Sequence, residues 1–203
     1  MSRGNLFIVS GPSGTGKGTI CNELMKSDDV FISVSVTTRN RRNDEIDGVT
    51  YFYDTVEGFQ RRIDDGLMLE WAKYGENYYG TPKDIVEQKL CAGINVILEI
   101  EVQGALKVKA QMPEAIMIFV VPPSMTELFQ RLVTRGREEI GEIKNRISIA
   151  RDEYKKAGVY NYIVINDKLE DSVSEVRRII DHRKEQMEII SKLIEQADDI
   201  CKD

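Results

Sequence analysis

Nearly continuous apolar runs recur along the chain, and each is followed by a helix-compatible stretch. The runs that predict buried strands are residues 6–9, 94–101, 115–121 and 160–165. The helices predicted between them cover residues 20–26, 82–92 and 103–112. A long helix is predicted from Ser172, where Glu175 completes a capping box. Strands that are apolar throughout are typical of parallel sheets covered on both faces. The pattern therefore predicts an α/β fold with a parallel sheet flanked by helices.

Residues 35–81 interrupt this alternation and are interpreted as an insertion. A β-rich run at 30–36 leads into it, and the short strands predicted after that run are residues 48–53, 67–72 and 77–80. One helix, residues 56–65, is capped by Thr55. Thr81 is expected to cap the helix that follows, with Pro82 at its first position. The core is accordingly assigned to residues 1–34, 82–123 and 156–203.

A second interruption, residues 124–155, is predicted to be a helical lid. Ser124 and Glu127 form a capping box that opens one helix, and a further helix carries Lys144, Arg146 and Arg151. The segment is charged, contains glycines and is sparsely apolar, which favours a mobile element over a core element.

A glycine-rich loop follows the first strand and precedes the first helix, which is the setting of a phosphate-binding loop. Its residues are Gly11, Pro12, Ser13, Gly14, Thr15, Gly16, Lys17, Gly18 and Thr19. Backbone N–H groups and the positive end of the helix dipole suit an oxyanion cluster, and Lys17 adds a full charge. The loop indicates ATP or GTP. Gly18 stands where Ser or Thr usually holds Mg²⁺, and the hydroxyl comes one residue later, at Thr19.

Composition narrows the choice of function. The 203 residues, 41% hydrophobic, can bury one full core. A net charge of −6 argues against an extended surface for nucleic acid or an anionic membrane. No apolar run is long enough to span a membrane, so a cytoplasmic protein, monomeric or homodimeric, is expected. The single histidine, His182, lies in a charged stretch of a predicted helix and is expected to be a solvated surface residue, which excludes a His-dependent catalytic triad.

The insertion contains side chains that can donate to a second phosphate: Arg39, Arg42, Tyr51 and Tyr79. Acceptors are supplied by Glu70 and Ser35. A phosphoryl-transfer enzyme needs such a second site for the substrate that receives the phosphoryl group, because the loop and lid hold the nucleotide that gives it. Taken singly, the two arginines also fit a solvated face.

Taken together in order, these motifs resemble those of guanylate kinases. The matching segments are residues 11–19, Ser35 to Arg42, Gly48 with Tyr51, residues 69–72, 77–81 and 98–104, and Arg131 to Gly136. The match extends through almost the whole chain. The resemblance implies a P-loop core with a monophosphate-binding insertion and a lid, and transfer of the γ-phosphoryl group of ATP to GMP.

The resemblance also implies residue roles. Those for GMP are Ser35, Arg39, Arg42, Tyr51, Glu70, Tyr79, Thr81 and Glu101; those for ATP are the loop residues 11–19 with Asn166; and the catalytic set is Lys17, Arg39, Arg135 and Arg146. Glu101 stands where many members have Asp. Mg²⁺ is expected to bridge the ATP phosphates, held largely through water with Thr19 and Glu99 as partners.

Two other functions remain open from the sequence. One is a related kinase that phosphorylates a sugar phosphate, against which Glu70, Ser35 and Thr81 argue because such an acceptor has no guanine edge. The other is a non-catalytic guanylate-kinase-like module that binds phosphorylated peptides. The intact Lys17 and glycines of the loop argue against that module.

Overall fold

The computed structural model describes residues 3–134 and 140–200. The strands in these ranges are β1 (Leu6–Ser10), β2 (Val30–Ile32), β3 (Val36–Thr37), β4 (Phe52–Tyr53), β5 (Met68–Tyr74), β6 (Asn77–Pro82), β7 (Asn95–Glu99), β8 (Ile116–Val121) and β9 (Tyr162–Ile165). The α-helices are α1 (Lys17–Leu24), α2 (Val56–Asp64), α3 (Lys83–Cys91), α4 (Val102–Gln111), α5 (Met125–Thr134), α6 (Ile140–Tyr154) and α7 (Leu169–Ile200). A short 3₁₀ helix, Ala157–Val159, precedes β9.

The larger sheet has five strands in the order β2-β7-β1-β8-β9, and every neighbouring pair is parallel. Its inner strands are almost wholly buried, because helices cover both faces. On one face, Phe7 and Ile118 pack with Ile20 of α1 and Ile180 of α7. On the other face, residues from β1 and β7 pack with α3 and α4. The predicted α/β fold with a flanked parallel sheet is confirmed.

A second, four-stranded sheet in the order β4-β3-β6-β5 lies within residues 36–82. β3 pairs with β4 in parallel and with β6 antiparallel, and β5 pairs with β6 antiparallel with a register shift between Met68 and Glu70. A small apolar cluster of Val36, Phe59 and Met68 lies beneath it. The exact boundaries assigned to core, insertion and lid stay a prediction.

The predicted strand at residues 30–36 is wrong, because this stretch serves two sheets. β2 ends at Ile32, and the Ser33 N–H donates to Ile97 O at 2.9 Å at the edge of the large sheet. Three residues later β3 begins, and Ser35 O accepts from Phe52 N at 2.9 Å in the small sheet. A continuous apolar pattern cannot reveal that its two ends pair with different partners.

Two predicted helix caps are confirmed. The Thr55 hydroxyl accepts from Gly58 N at 3.0 Å at the start of α2, and Ser124 Oγ accepts from Glu127 N at 3.1 Å at the start of α5. In both places the side chain satisfies an N–H group that the helix itself leaves without a partner.

Two other predicted caps are wrong. Pro82 occupies the cap position of α3 with no side-chain cap, and the first N–H of that helix donates to Leu67 O at 2.8 Å. The long C-terminal helix begins at Leu169, so Ser172 lies buried inside its first turn. The Thr81 hydroxyl instead donates to Glu70, and the Ser172 hydroxyl donates to Asn166.

The predicted lid contains α5 and α6, and it has a small apolar core of its own. Leu128 and Leu132 of α5 pack with Ile143 and Ala150 of α6. Arg135, assigned a catalytic role above, lies outside the described residues. Among the described helices, none is long and apolar enough to cross a membrane.

Candidate active site

The phosphate-binding loop leaves β1 at the carboxyl edge of the large sheet and enters α1. Gly14 has φ 90°, a conformation that side-chain-bearing residues rarely adopt, and a Cβ there would lie 2.9 Å from Leu132 Cδ2 of the lid. Thr15 closes the turn because its Oγ1 donates to Pro12 O at 3.0 Å. The loop is therefore ordered by its own contacts, and Gly14 allows close approach by α5.

Lys17 lies at the base of this loop. Its Nζ donates to Gly11 O at 2.6 Å and to Pro12 O at 2.9 Å. Desolvation lowers the pKa of Lys17, while the nearby Glu99 carboxylate opposes that change. The ammonium group is thus held next to the loop backbone in surroundings poor in water, where its charge acts strongly on a bound phosphate.

Asn166, at the end of β9, supports the loop from inside the protein. Its Nδ2 donates to Thr15 O at 2.8 Å, and its Oδ1 accepts from Ser172 Oγ at 3.0 Å. A side chain at Gly16 would collide with this amide. The Asn166 side chain is therefore a structural support of the loop, and its predicted place beside the adenine stays a prediction.

The segment predicted to be a lid contacts the loop and its support. Arg146 of α6 donates from Nη1 to Ser13 Oγ at 2.8 Å, although the two residues are 133 positions apart. In the other helix of this segment, Arg131 of α5 donates from Nη2 to Asn166 O at 2.9 Å. Arg146 thus contacts the phosphate-binding loop, and its predicted role toward the ATP phosphates stays a prediction.

The second cluster of cations lies just beyond β3. Arg39 donates from Nη2 to Glu45 Oε1 at 2.7 Å, and Tyr53 OH donates to Glu45 Oε2 at 2.8 Å. The hydrogen bond from Arg39 is the main reason that the pKa of Glu45 falls from 4.5 to about 2. The Arg42 side chain is exposed, but its backbone N–H also donates to Glu45, at 2.9 Å.

Two tyrosines flank Arg39. The rings of Tyr51 and Tyr79 pack edge to face with centroids 6.0 Å apart, and the guanidinium carbon of Arg39 lies 5.5 Å from the Tyr51 centroid. Burial is the main reason that the pKa of Tyr51 is raised, so its hydroxyl stays a donor. The structure therefore brings three of the four predicted phosphate donors together around one point.

Glu70 of β5 and Thr81 of β6 form the predicted base-reading pair. The Thr81 hydroxyl donates to Glu70 Oε1 at 2.8 Å across the antiparallel strands. Burial, only partly offset by this hydrogen bond and by Lys107, raises the pKa of Glu70. Ser35 is partly buried at the start of the same sheet, where its carbonyl accepts from Phe52.

Two carboxylates, Glu99 and Glu101, lie within electrostatic range of groups in both the phosphate loop and the insertion. Glu99, at the end of β7, acts on the pKa of Lys17 on one side and, after larger effects of burial, on that of Tyr51 on the other. Glu101 likewise acts on both Lys17 and Glu70. The carboxyl edge of the large sheet therefore lies between the loop and the insertion, where α/β sheets bind ligands.

Comparison with known proteins decides the family. The family model described as guanylate kinase matches residues 3–183. The chain is 49% identical over 191 residues to the guanylate kinase of Oceanobacillus iheyensis, covering 94% of this chain and 93% of that protein. It is 47% identical over 180 residues to the guanylate kinase of Bacillus subtilis, with 88% of both covered.

The chain belongs to the guanylate kinase family. The fold agrees with this assignment, since the crystal structure of guanylate kinase from Anaplasma phagocytophilum superposes with a TM-score of 0.73 at 31% identity. That superposition covers 92% of this chain and 88% of the other. The predicted membership and the predicted enzyme class, a kinase, are confirmed.

The donor set of this guanylate kinase fits a metal held mainly by phosphates and water. The Glu99 oxygens lie 3.3 and 3.4 Å from the position of a Cβ at Gly18, so a carboxylate occupies the space where other loops carry a hydroxyl. Thr19 is exposed one residue further on. Among residues 3–134 and 140–200, no group of three or more His, Cys, Asp or Glu could hold an ion by itself.

Sequence reasoning missed Glu45 and the supporting role of Asn166 in this guanylate kinase. Glu45 follows the basic stretch that ends at Arg42, but it lies beside other acids, Asp44 and Asp47, so the sequence does not single it out as the partner of Arg39. The contact between Asn166 and Thr15 spans 151 positions and leaves no local signal in the sequence.

Proposed function

We propose that this guanylate kinase transfers the γ-phosphoryl group of ATP to GMP, giving ADP and GDP. The observation that carries the proposal is the Glu70–Thr81 pair, with an O–O distance of 2.8 Å, in the sheet that also carries the phosphate donors around Arg39. A carboxylate that recognises a base edge and cations that recognise a phosphate are both required by a guanine nucleotide.

Guanine suits the geometry of this pair. Its N1–H and exocyclic NH₂ lie on one edge, so the ionised Glu70 carboxylate can accept both. Ser35 and Thr81 carry hydroxyls that can face O6 or N7. Adenine presents an unprotonated N1 to the same carboxylate and leaves it without a donor, which costs about 1–3 kcal/mol.

The chemistry needs alignment and charge neutralisation and no general base. A phosphate oxygen of GMP is already anionic near neutral pH, so it attacks the γ-phosphorus directly. Arg39, Tyr51 and Tyr79 hold the attacking phosphate, with Arg42 as a further cation. Lys17 and Arg146 neutralise charge on the donor side, and the loop N–H groups orient the remaining ATP phosphates. Arg135 completes the catalytic set in this proposal.

Nucleotide kinases generally need a divalent metal, and Mg²⁺ is proposed here. A bound divalent ion would supply positive charge that offsets the negative charge of the ATP phosphates. Glu99, whose carboxylate lies near Gly18, and Thr19, with its hydroxyl, would hold such an ion through water. Oxygen ligands of this kind match the preference of Mg²⁺.

The test is production of ADP from ATP and Mg²⁺ with a panel of acceptors. GMP, AMP, a ribose bisphosphate and water alone are supplied separately at equal concentration, and both nucleotide products are quantified. We expect ADP and GDP in equal amounts with GMP and a far lower rate with each other acceptor. Faster turnover with the sugar phosphate, or no turnover with any acceptor, would replace this proposal by one of the two alternative functions.

A further inference from the structure

Helix α4 presents one face to the strand that carries Glu70. Gln111 donates from Nε2 to Leu69 O at 2.7 Å, and Lys107 donates from Nζ to Trp71 O at 2.9 Å. The backbone is thus held by α4 on both sides of Glu70. Gly104, Lys107 and Gln111 are spaced three and four positions apart, so they lie on the same face of the helix.

Gly104 is the member of this face that lies against the Glu70 side chain. A Cβ on Gly104 would lie 2.8 Å from Glu70 Oε2 and 3.2 Å from its Cδ. Real Cβ atoms essentially never approach another heavy atom within 3.0 Å, so the carboxylate occupies the space of the missing side chain. One oxygen of Glu70 is held by Thr81, and the other lies against the α4 backbone.

The helix itself gives no reason for glycine at this position. Gly104 is buried in the middle of the first half of α4 and is absent from the set of described glycines with positive φ. Alanine is a better helix former than glycine. The close approach of Glu70 is therefore the feature that requires a residue without a side chain here.

We propose that Gly104 is a specificity-determining positioning residue: its lack of a side chain sets where the Glu70 carboxylate lies and hence how guanine is read. The inference rests on the proposed function, in which Glu70 accepts two hydrogen bonds from the base. Such paired hydrogen bonds need the acceptor placed within about 0.5 Å. A methyl group at position 104 displaces the carboxylate from that position.

The expected loss is confined to GMP recognition. The group that must move is the end of a flexible side chain, so the chain with Gly104→Ala still folds. The phosphate loop lies on other elements, and its contacts to Lys17 and Asn166 do not involve α4. A substitution at Gly104 therefore raises the KM for GMP and leaves the KM for ATP nearly unchanged.

The first measurement is the KM for each substrate in Gly104→Ala and in a matched control, Gly158→Ala. A Cβ at Gly158 would meet nothing within 4 Å. We expect Gly104→Ala to raise the KM for GMP at least tenfold with the KM for ATP within about twofold. Gly158→Ala is expected to leave both values within about twofold. An unchanged KM for GMP in a folded Gly104→Ala protein overturns the proposal.

A double-variant cycle shows whether the effect acts through Glu70. In a Glu70→Ala background the carboxylate is gone, so adding Gly104→Ala is expected to change the KM for GMP by less than about twofold. It should also raise the unfolding midpoint slightly, because alanine favours the helix. A further tenfold rise of KM in that background overturns the proposal, since the glycine would then act independently of Glu70.

The same cycle separates the two proposals. If Glu70→Ala alone leaves the KM for GMP unchanged, the reading of guanine by Glu70 is wrong, and the role of Gly104 is wrong with it. If Glu70→Ala raises the KM strongly but Gly104→Ala does not, the proposed function stands and only the role of Gly104 is lost.

Discussion

Arg39 donates to Glu45 at 2.7 Å, and the two side chains are only 17% and 11% exposed. The acid therefore fixes the guanidinium before any phosphate arrives. Arginine loses rotamer freedom when it binds a ligand, and a partner that orders it in advance reduces that cost. The Arg42 backbone N–H and the Tyr53 hydroxyl donate to the same carboxylate and so help to hold it beside Arg39.

Glu45→Gln is expected to raise the KM for GMP about tenfold, because the amide cannot form a charge-assisted hydrogen bond with Arg39. The KM for ATP should stay within about twofold. Initial rates with either substrate varied measure both constants. The control is Glu76→Gln, at an acid that is 96% exposed. Equal KM values for GMP in the two variants would contradict the positioning role of Glu45.

Lys17→Met is expected to lower turnover at least a hundredfold with little change in the unfolding midpoint. The charge acts mainly while negative charge moves during transfer, and loss of one such donor costs about 10²–10³ in rate. Folding should change little because the ammonium is already partly desolvated in the folded protein, as its lowered pKa indicates. Turnover and thermal unfolding are measured in parallel.

Lys26→Met, at a lysine whose side chain is 71% exposed, is the matched control for that substitution. Its turnover should equal that of the unsubstituted protein. Retention of activity within about tenfold by Lys17→Met, which corresponds to about 1.4 kcal/mol of barrier, would show that Lys17 has no catalytic role.

Glu70→Gln is expected to lower the ratio of kcat/KM for GMP to that for AMP, chiefly through loss of GMP use. The amide can match the edge of adenine, whereas it no longer accepts both donors of guanine. The ratio is measured at equal ATP concentration, with circular dichroism as the control for folding. A ratio equal to that of the unsubstituted enzyme would mean that Glu70 does not read the base.

The pH dependence of the KM for GMP should report the same carboxylate. Burial raises the pKa of Glu70 above its ordinary value of 4.5, so the group takes up a proton at a higher pH than an exposed glutamate does. Protonation removes an acceptor, and the KM for GMP should therefore rise as the pH falls. In the Glu70→Gln variant this rise of the KM for GMP should be absent.

Titration of the substrate phosphate, whose second pKa is about 6, affects both enzymes alike and cancels in the comparison. The difference between the two profiles is thus the contribution of Glu70. Parallel profiles over the whole acidic range would rule out ionised Glu70 as the acceptor.

Binding of both nucleotides is expected to slow hydrogen exchange in the lid. Arg146 contacts Ser13 in the free protein, and phosphates bound near them should add charge-assisted hydrogen bonds that hold α5 and α6 against the loop. Exchange in residues 124–151 is compared for the free protein and its complex with a bisubstrate analogue. A complex with ATP alone serves as the control, and identical exchange in all three states would contradict closure.

Much of this fold follows from local patterns, because a buried parallel strand is apolar throughout and the loop between β1 and α1 has a distinctive glycine spacing. The errors lie where a residue serves a distant partner. Thr81 has the local context of a helix cap, yet its hydroxyl serves Glu70 on a neighbouring strand. Ser172 likewise serves Asn166. Propensity rules describe local competition for a hydroxyl and cannot include a partner supplied by tertiary structure.

The candidate site likewise contains residues that the sequence could predict and residues that it could not. Side chains that must meet a phosphate have a recognisable chemistry, so Arg39, Tyr51 and Tyr79 could be proposed from the sequence. The groups that hold them in place have no such constraint. Glu45 and Gly104 act by pairing with or making room for another residue, and that role appears only when the neighbouring atoms are known.

The support of the phosphate loop by Asn166 has a consequence for the order in which the protein matures during translation. The ribosome makes the loop well before the amide that holds Thr15, which follows 151 positions later, and Ser172 comes later still. Until β9 and the start of α7 have left the exit tunnel, a nascent chain carries the complete glycine motif without the contacts that fix it. ATP binding should therefore appear only after β9 and the start of α7 have emerged, and not when the glycine motif itself emerges.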